Sequence, residues 1–424
     1  MWSIGNEIPE QGMKGGTDMA RHLQDICHRL DPSRPVTQGM DRAENALQTG
    51  FAQVMDVPGF NYRVHKYEKN MKQLPQGFLL GSETASTVSS RGVYKFPVKV
   101  TDNSQYASWA KDYDPTAIKK ADGQCSSYDV EYCSWSNLPD DDWVWQDDKP
   151  WVIGEFVWTG YDYLGEPTPY DEYWPSRSSY FGICDLAGLP KDRYYLYRSH
   201  WNTEERTVHL LPHWSWGTSK KQKGNRIGKV TPVYCYTDCA EGELFVNGKS
   251  QGRIRKNPQE RLDRYRLRWN NVKYEPGELK VVVYDETGKN CGEQVVKTAG
   301  KPARLQLDVW TQHSNLSPLS SLLSPLNADG NDLAFVTVSL VDKDGTFVPD
   351  AQDQLTFEVS GAGTFRAVCN GDATSLEPFT QPTMKLFNGQ LVVIVQAARQ
   401  KGDLTLKVSD AQRKFTETII IPVK

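Results

Sequence analysis

Between residues 2 and 157, short apolar runs alternate with helical or polar stretches, and this rhythm narrows the choice of fold sharply. Residues 2–5 (WSIG), 35–38 (PVTQ), 54–60, 77–81 (GFLLG) and 151–157 (WVIGEFV) read as strands. The first reads as a buried strand that ends in Asn6 and Glu7, where Pro9 stops further pairing. Residues 17–30 read as a helix, with Thr17 as its N-cap and Met19, Leu23, Ile26, Cys27 and Leu30 along one face. A polar helix is expected over about residues 65–73. Strand, helix, strand in this order predicts parallel βα units. In a closed βα barrel, functional side chains sit at the C-terminal ends of several strands. Here those ends carry Glu7, Tyr62, Glu83 and Trp158.

From about residue 203 the texture changes. Short alternating strands are expected at 208–211, 229–236, 243–246, 265–272 and 279–284, punctuated by turn pairs such as Asn247 and Gly248. That is the pattern of an all-β sandwich. Residues 299–302 read as a linker, and a second all-β module follows, with strands at 304–309, 334–341, 354–359, 391–396 and 403–408. Residues 85–150, rich in Trp, Tyr, Ser and Asp and lacking a helical period, read as loops crossing a face. The expected domains are therefore 1–202, 203–300 and 301–424.

Composition removes several function classes. Net charge is −4, with Lys and Arg dispersed, so no basic stripe suits a nucleic acid. No apolar run is long enough to span a membrane. The eight Cys include two close pairs, Cys125 with Cys133 and Cys235 with Cys239, at spacings that suit buried free thiols better than a metal. Residues 327–332 (NADGND) resemble a calcium loop but lack its register and terminal Glu. The 13 Trp and 20 Tyr supply faces for stacking on sugar rings as well as for core packing.

Two carboxylates across one cleft are the working parts of glycoside hydrolysis. Glu7 beside Asn6 joins a group that gives a proton to one that grips a hydroxyl; the alternative is an acid that only faces water. The segment Trp2 to Glu7 (WSIGNE) resembles the acid/base motif of glycoside hydrolase family 2. Residues 81–86 (GSETAS) with 90–94 (SRGVY) look like the nucleophile segment of its β-galactosidase branch. Residues 154–167 (GEFVWTGYDYLGEP), 181–188 (FGICDLAG) and 190–192 (PKD) continue the likeness, as does LFVNGK at 244–249. The resemblance implies an incomplete (β/α)8 TIM barrel, strands four to eight, followed by two immunoglobulin-like β-sandwich domains. It implies a retaining glycosidase with Glu7 as acid/base and Glu83 as nucleophile. Asn6 would hold the sugar 2-hydroxyl, Tyr62 would position Glu83, and Trp158 would offer its face to the sugar, with ordinary barrel packing the lesser alternative for the last two.

Glu155 is a rival nucleophile set aside because it lies within its strand, and Glu166 reads as a rim residue. Asn70 and Lys72 spell the Asn-x-Lys clamp that glucuronide-cleaving members use, but on the wrong element, so a neutral sugar, β-galactose, is favoured. The residues themselves call for no cofactor; the resemblance implies magnesium in the complete family enzyme. Three barrel strands and the domains before them are expected to lie outside this chain, as a fragment, a misplaced start or a rearranged assembly. The competing expectation is a catalytically inactive carbohydrate-associated protein whose sandwiches bind glycan or a partner. The partner classes are thus a glycoside substrate, no nucleic acid and no membrane span, with a homo-oligomer left open; analogy with glycan-degrading relatives implies secretion to the periplasm or surface.

Overall fold

The computed structural model describes residues 1–222, 224–311 and 325–424. The first part holds a five-stranded parallel sheet in the order β1 (Trp2–Asn6), β2 (Val36–Met40), β3 (Val57–Asn61), β4 (Leu79–Thr84) and β5 (Val152–Val157). Helix α1 (Gly16–Leu30) connects β1 to β2. The short α2 (Ala43–Gln48) and α3 (Phe51–Val54) lead to β3, and α4 (Tyr67–Met71) to β4. Met40, Phe51, Ala52, Met55, Phe60, Tyr67, Leu79 and Val152 form the core between the sheet and these helices. Burying side chains of this size contributes about 1.5–3 kcal/mol each, which is what holds short, weakly propagating helices on the sheet.

Several sequence expectations need correction here. The run at residues 2–5 is not buried: Trp2 and Ser3 are exposed and Ile4 and Gly5 half-buried, because β1 pairs with β2 alone. Apolar residues of β5 meet the same fate at the other edge, where Ile153 is 50% and Phe156 58% exposed. Helix α1 begins at Gly16 behind Gly15, whose φ of 84° suits glycine, and Thr17 is not its cap; the Thr17 hydroxyl donates to the Thr49 carbonyl at 3.0 Å. Of the predicted α1 face, Met19 and Leu30 are exposed, and the buried residues of the helix are Gly16, Ala20 and Gln24. The third strand starts at Val57, since Val54 still belongs to α3.

The insertion between β4 and β5 is not all loop, for it contains α5 (Pro115–Lys120) and α6 (Pro139–Asp148). Pro at the first turn and acids behind it start α6 in the usual way. Its buried residues are Pro139, Asp140, Asp142 and Trp143, so it shows no single apolar stripe for a periodicity argument to find. Asp140 pairs with the buried Arg266 of the second module, and Tyr128 donates to the Pro232 carbonyl at 2.6 Å. The insertion is thus packed between the parallel sheet and that module. Helix α7 (Asp192–Trp201), which the sequence reading did not isolate, closes this part.

Each remaining module is a pair of antiparallel sheets around its own core. The second module has a three-stranded sheet (Leu267–Trp269, Val233–Thr237, Val208–Leu211) facing a four-stranded one (Asn290–Lys297, Glu278–Tyr284, Glu241–Val246, Lys249–Arg255). Leu210, Val233, Leu244, Trp269, Leu279 and Val281 fill the space between them. Among its described residues the third module has two four-stranded sheets, with Leu305, Val336, Phe357, Leu391, Leu406 and Ile421 in its core. Both close cysteine pairs are buried free thiols. In the 327–332 loop, the Asp329 carboxylate accepts the backbone N–H groups of Asn331 and Asp332, an ordinary turn arrangement. Among the described residues no helix is long and apolar enough to cross a membrane.

Candidate active site

The C-terminal ends of the parallel strands converge on one cavity of about 470 Å³. Asn6, Glu7, Tyr62, Glu83 and Trp158, each singled out from the sequence, all line it, joined by Asp41, Arg63, Trp109, Trp135 and Glu166. The strands lose regular register just where they deliver these groups, between Ser3 and Asn6, Phe60 and Asn61, and Gly81 and Thr84. Such irregularities re-aim side chains at strand ends. Glu7, Tyr62, Arg63, Ala85 and Glu166 have φ between 45° and 54°, left-handed backbone that costs a residue with a side chain about 1 kcal/mol or more. Five such residues in or beside one cavity make it a site held in place by its surroundings rather than by local preference.

A chain of amides joins the two carboxylates. The Asn61 Nδ2 donates to Glu7 Oε1 and to Asn6 Oδ1, both at 2.9 Å, and Asn6 Nδ2 reaches Glu83 Oε2 at 3.4 Å. Ser82 Oγ donates to Asn61 Oδ1 at 2.7 Å, which fixes that amide's orientation. Residue 39 between these strands must be glycine, because a Cβ there would stand 2.2 Å from Asn6 Oδ1 and 2.8 Å from Asn61 Oδ1. On the other side of Glu83, the Tyr62 hydroxyl donates to Oε1 at 2.6 Å and accepts from Ser86 Oγ at 2.8 Å. Burial and the Glu83 charge push the Tyr62 phenol far up, so it stays a proton donor. Burial also raises the Glu83 carboxyl; the Tyr62 hydrogen bond pulls it back, and the Glu7 charge adds to the rise.

Glu155 lies outside the cavity. Its oxygens accept from Thr84 Oγ1 and Trp143 Nε1, both at 2.7 Å, so it ties β4 and α6 to β5. Glu166 sits on the cavity wall and accepts from the Tyr163 hydroxyl, while Tyr163 presents its ring edge-on to Trp158 at 5.9 Å. The Trp158 N–H in turn donates to the Thr84 carbonyl at 2.9 Å. Asn70 and Lys72 are not among the cavity residues.

Buried ion pairs stitch together the loops around the site. Lys191 Nζ meets Asp162 at 2.7 Å and donates to the carbonyls of Ser89 and Tyr180. Burial lifts the Asp162 carboxyl to about 6 against the pull of Lys191. Arg91 Nε meets Asp185 at 2.6 Å, and the Arg193 guanidinium reaches the carbonyls of Thr87, Phe181 and Gly182. The segments at 81–94, 154–167 and 181–192 are therefore one hydrogen-bonded unit.

Asn61, Ser86, Asp41, Arg63, Trp109 and Trp135 were missed as site residues. Asn61 stands at a strand end directly before Tyr62, which was a usable signal; the others depend on how loops fold back. Among the described residues no group of three or more His, Cys, Asp or Glu is placed to hold a metal ion. The cavity carboxylates Glu7, Glu83 and Glu166 each already accept from Asn or Tyr side chains. Among the described residues, the cavity carboxylates are engaged in these bonds and are not gathered as a magnesium site.

A family model described as glycoside hydrolase family 2 C-terminal domain 5 matches residues 320–418, and one described as a domain of unknown function, DUF4982, matches residues 228–292. The chain is 36% identical, over 96% of its length, to beta-galactosidase BoGH2A of Bacteroides ovatus, of which it covers 47%. It is 29% identical over 45% of its length to a beta-glucuronidase of Formosa agariphila, covering 17% of that protein. The chain thus spans about half or less of the length of these curated relatives. Among solved structures, a beta-glycosidase from Bacteroides vulgatus superimposes with a TM-score of 0.78 at 30% identity, over 100% of this chain and 50% of that one. Over nearly its whole length this chain thus resembles these glycosidases, and its residues 320–418 match the C-terminal domain 5 of glycoside hydrolase family 2.

Proposed function

We propose that the cavity cleaves terminal β-D-galactosides by double displacement with retention of configuration. Glu83 attacks the anomeric carbon while Glu7 gives its proton to the departing glycosidic oxygen; the C1–O bond breaks as the Glu83–C1 ester forms. Glu7, now a carboxylate, takes a proton from water as that water attacks C1, and Glu83 leaves. Tyr62 holds the Glu83 carboxylate by one oxygen, leaving the other to attack. Asn6, oriented by Asn61, contacts the sugar 2-hydroxyl, where a bond that tightens in the transition state accelerates reaction. Trp158, braced by Tyr163, faces the sugar ring. The observation that carries this reading is the amide bridge from Glu7 through Asn61 and Asn6 to Glu83, with Tyr62 on the far oxygen.

The charge of the cavity favours a neutral sugar. Among the described residues that line it, Glu7, Asp41, Glu83 and Glu166 face a single cation, Arg63, whose guanidinium is bonded to the Asp41 carbonyl. A sugar carboxylate would meet like charge. Side-by-side hydrolysis of aryl β-galactoside and aryl β-glucuronide tests this, with NMR of the first-formed anomer as the readout of stereochemistry. Faster cleavage of the galactoside with the β-anomer first is expected; preference for the glucuronide would refute the sugar assignment, and the α-anomer first would refute retention.

The same reading extends to the fold. The five parallel strands are taken as strands four to eight of a (β/α)8 barrel, and the modules at 203–300 and 301–424 as immunoglobulin-like sandwiches. Two features support closure by further strands. Apolar Trp2, Ile153 and Phe156 are exposed on the two outer strands, whose outer edges have no strand partner among the described residues, an arrangement that finished sheets avoid. In β2, Gln38 is fully buried with neither amide atom partnered among the described residues. Full activity accordingly requires a sheet closed by strands beyond these five.

A further inference from the structure

The five strand-end side chains account for one sugar ring at the reacting centre, yet two tryptophans reach the cavity from elsewhere. Trp109 and Trp135 both belong to the insertion between β4 and β5. Trp135 is anchored: it packs against the cluster containing Val88, Cys133, Tyr180 and Phe181. It lies in the turn closed by the Ser136 N–H on the Cys133 carbonyl at 2.8 Å. That turn is stitched to the nucleophile's own segment, since the Ser86 N–H donates to Ser136 Oγ at 2.8 Å and the Cys133 N–H to the Ser86 carbonyl at 3.0 Å. The position of Trp135 is thus tied through Ser86 to Tyr62 and Glu83.

Trp109 is the opposite case. It sits in a turn, is 61% exposed, and its ring lies 5.7 Å from that of Trp135 at an angle of 39°. Such a residue leaves a large apolar face in water within a cavity otherwise rich in carboxylates. Tilted aromatic pairs with one anchored and one open member make a surface on which the apolar face of a ring can lie. Trp158 already serves the ring being cleaved, so these two faces are surplus to a single-ring site.

We propose that Trp109 and Trp135 form a stacking platform for the ring next to the cleaved sugar, which makes the insertion the element that selects a glycosidic or aryl aglycone over a small leaving group. This rests on the glycosidase reading of the same cavity. Stacking is sequence-tolerant chemistry, so the platform takes a planar or pyranose ring rather than one named sugar.

The test compares lactose with β-galactosyl fluoride, whose leaving group has no ring, on the full chain. Trp109→Ala is expected to lower kcat/KM for lactose about threefold to tenfold, chiefly through KM, and to leave the fluoride within about twofold. Trp109→Phe should restore most of the loss. Equal loss on both substrates, or loss on neither, overturns the platform while leaving the hydrolytic reading intact. If the unsubstituted chain cleaves neither compound, these five strands do not suffice for turnover by themselves, and tryptophan fluorescence during lactose titration then decides. A saturable response lost in Trp109→Ala upholds the platform, and an unchanged response overturns it.

Discussion

Tyr62 is the residue on which the behaviour of Glu83 turns. Its hydroxyl stabilises the carboxylate form, opposing the desolvation that raises the Glu83 carboxyl. Tyr62→Phe should therefore push Glu83 further up and move the acidic limb of the kcat/KM profile to higher pH, because the nucleophile must be ionised to attack. A limb that stays in place would mean that another group titrates there. Glu7→Ala should cost a factor of about a hundred to ten thousand on lactose, the usual range for a positioned proton donor. The loss should shrink on aryl galactosides whose leaving group needs no proton, a contrast read from parallel Michaelis curves. Glu7, Glu83, Asn6, Tyr62 and Trp158 could be picked out in the sequence because each sits where an apolar run stops. Asp41 and Arg63 could not, since their place in the cavity follows from the left-handed backbone after β3 and the fold of the loop after β2.

At the scale of elements, the parallel βα rhythm was legible because short apolar runs alternate with helical or polar stretches from β1 to β4. The insertion was not, because α6 is buried on several sides and its partners are charged. One of those buried groups makes a test. Asp129, in the strap beside the second module, accepts from the Tyr236 hydroxyl at 2.9 Å and has φ 54°. Burial lifts its carboxyl from an ordinary 3.8 to about 7. A carboxyl raised on folding binds its proton more tightly in the native state, so it costs no stability below the unfolded value. The cost grows as pH climbs from about 4 to about 7 and is constant above. Asp129→Asn, which tolerates the left-handed backbone, should remove that contribution. Chemical denaturation at pH 4, 5.5 and 7 should show the variant gaining on the parent as pH rises; a constant difference would place the ionisation elsewhere.

Across the whole molecule, the third module is bolted to the loops around the site. Arg91 spans the joint, meeting Asp185 on one side and donating to the carbonyls of Asn370 and Phe387 at 2.9 Å on the other. Gln124 donates to Asp372, and the Arg177 guanidinium lies 5.0 Å from the Phe379 ring. Arg91→Met leaves the fully buried Asp185 without its ion pair and should destabilise by about 3 kcal/mol. A fall in Tm seen by calorimetry checks this, and an unchanged Tm would mean that the joint carries no stability. None of these contacts across the joint was visible in the sequence, where the paired residues lie some 200–300 positions apart and neither side carries a periodic signal.

The central claim is that Glu83 is the nucleophile of a retaining site assembled by these strand ends. Incubation with a 2-deoxy-2-fluoro-β-galactosyl inactivator, followed by intact mass and peptide mapping, tests it directly, because the fluorine slows breakdown of the glycosyl ester and leaves it attached. A single adduct on the peptide carrying Glu83, absent in Glu83→Gln, is the predicted result. An adduct on Glu155 or Glu7 would contradict the account.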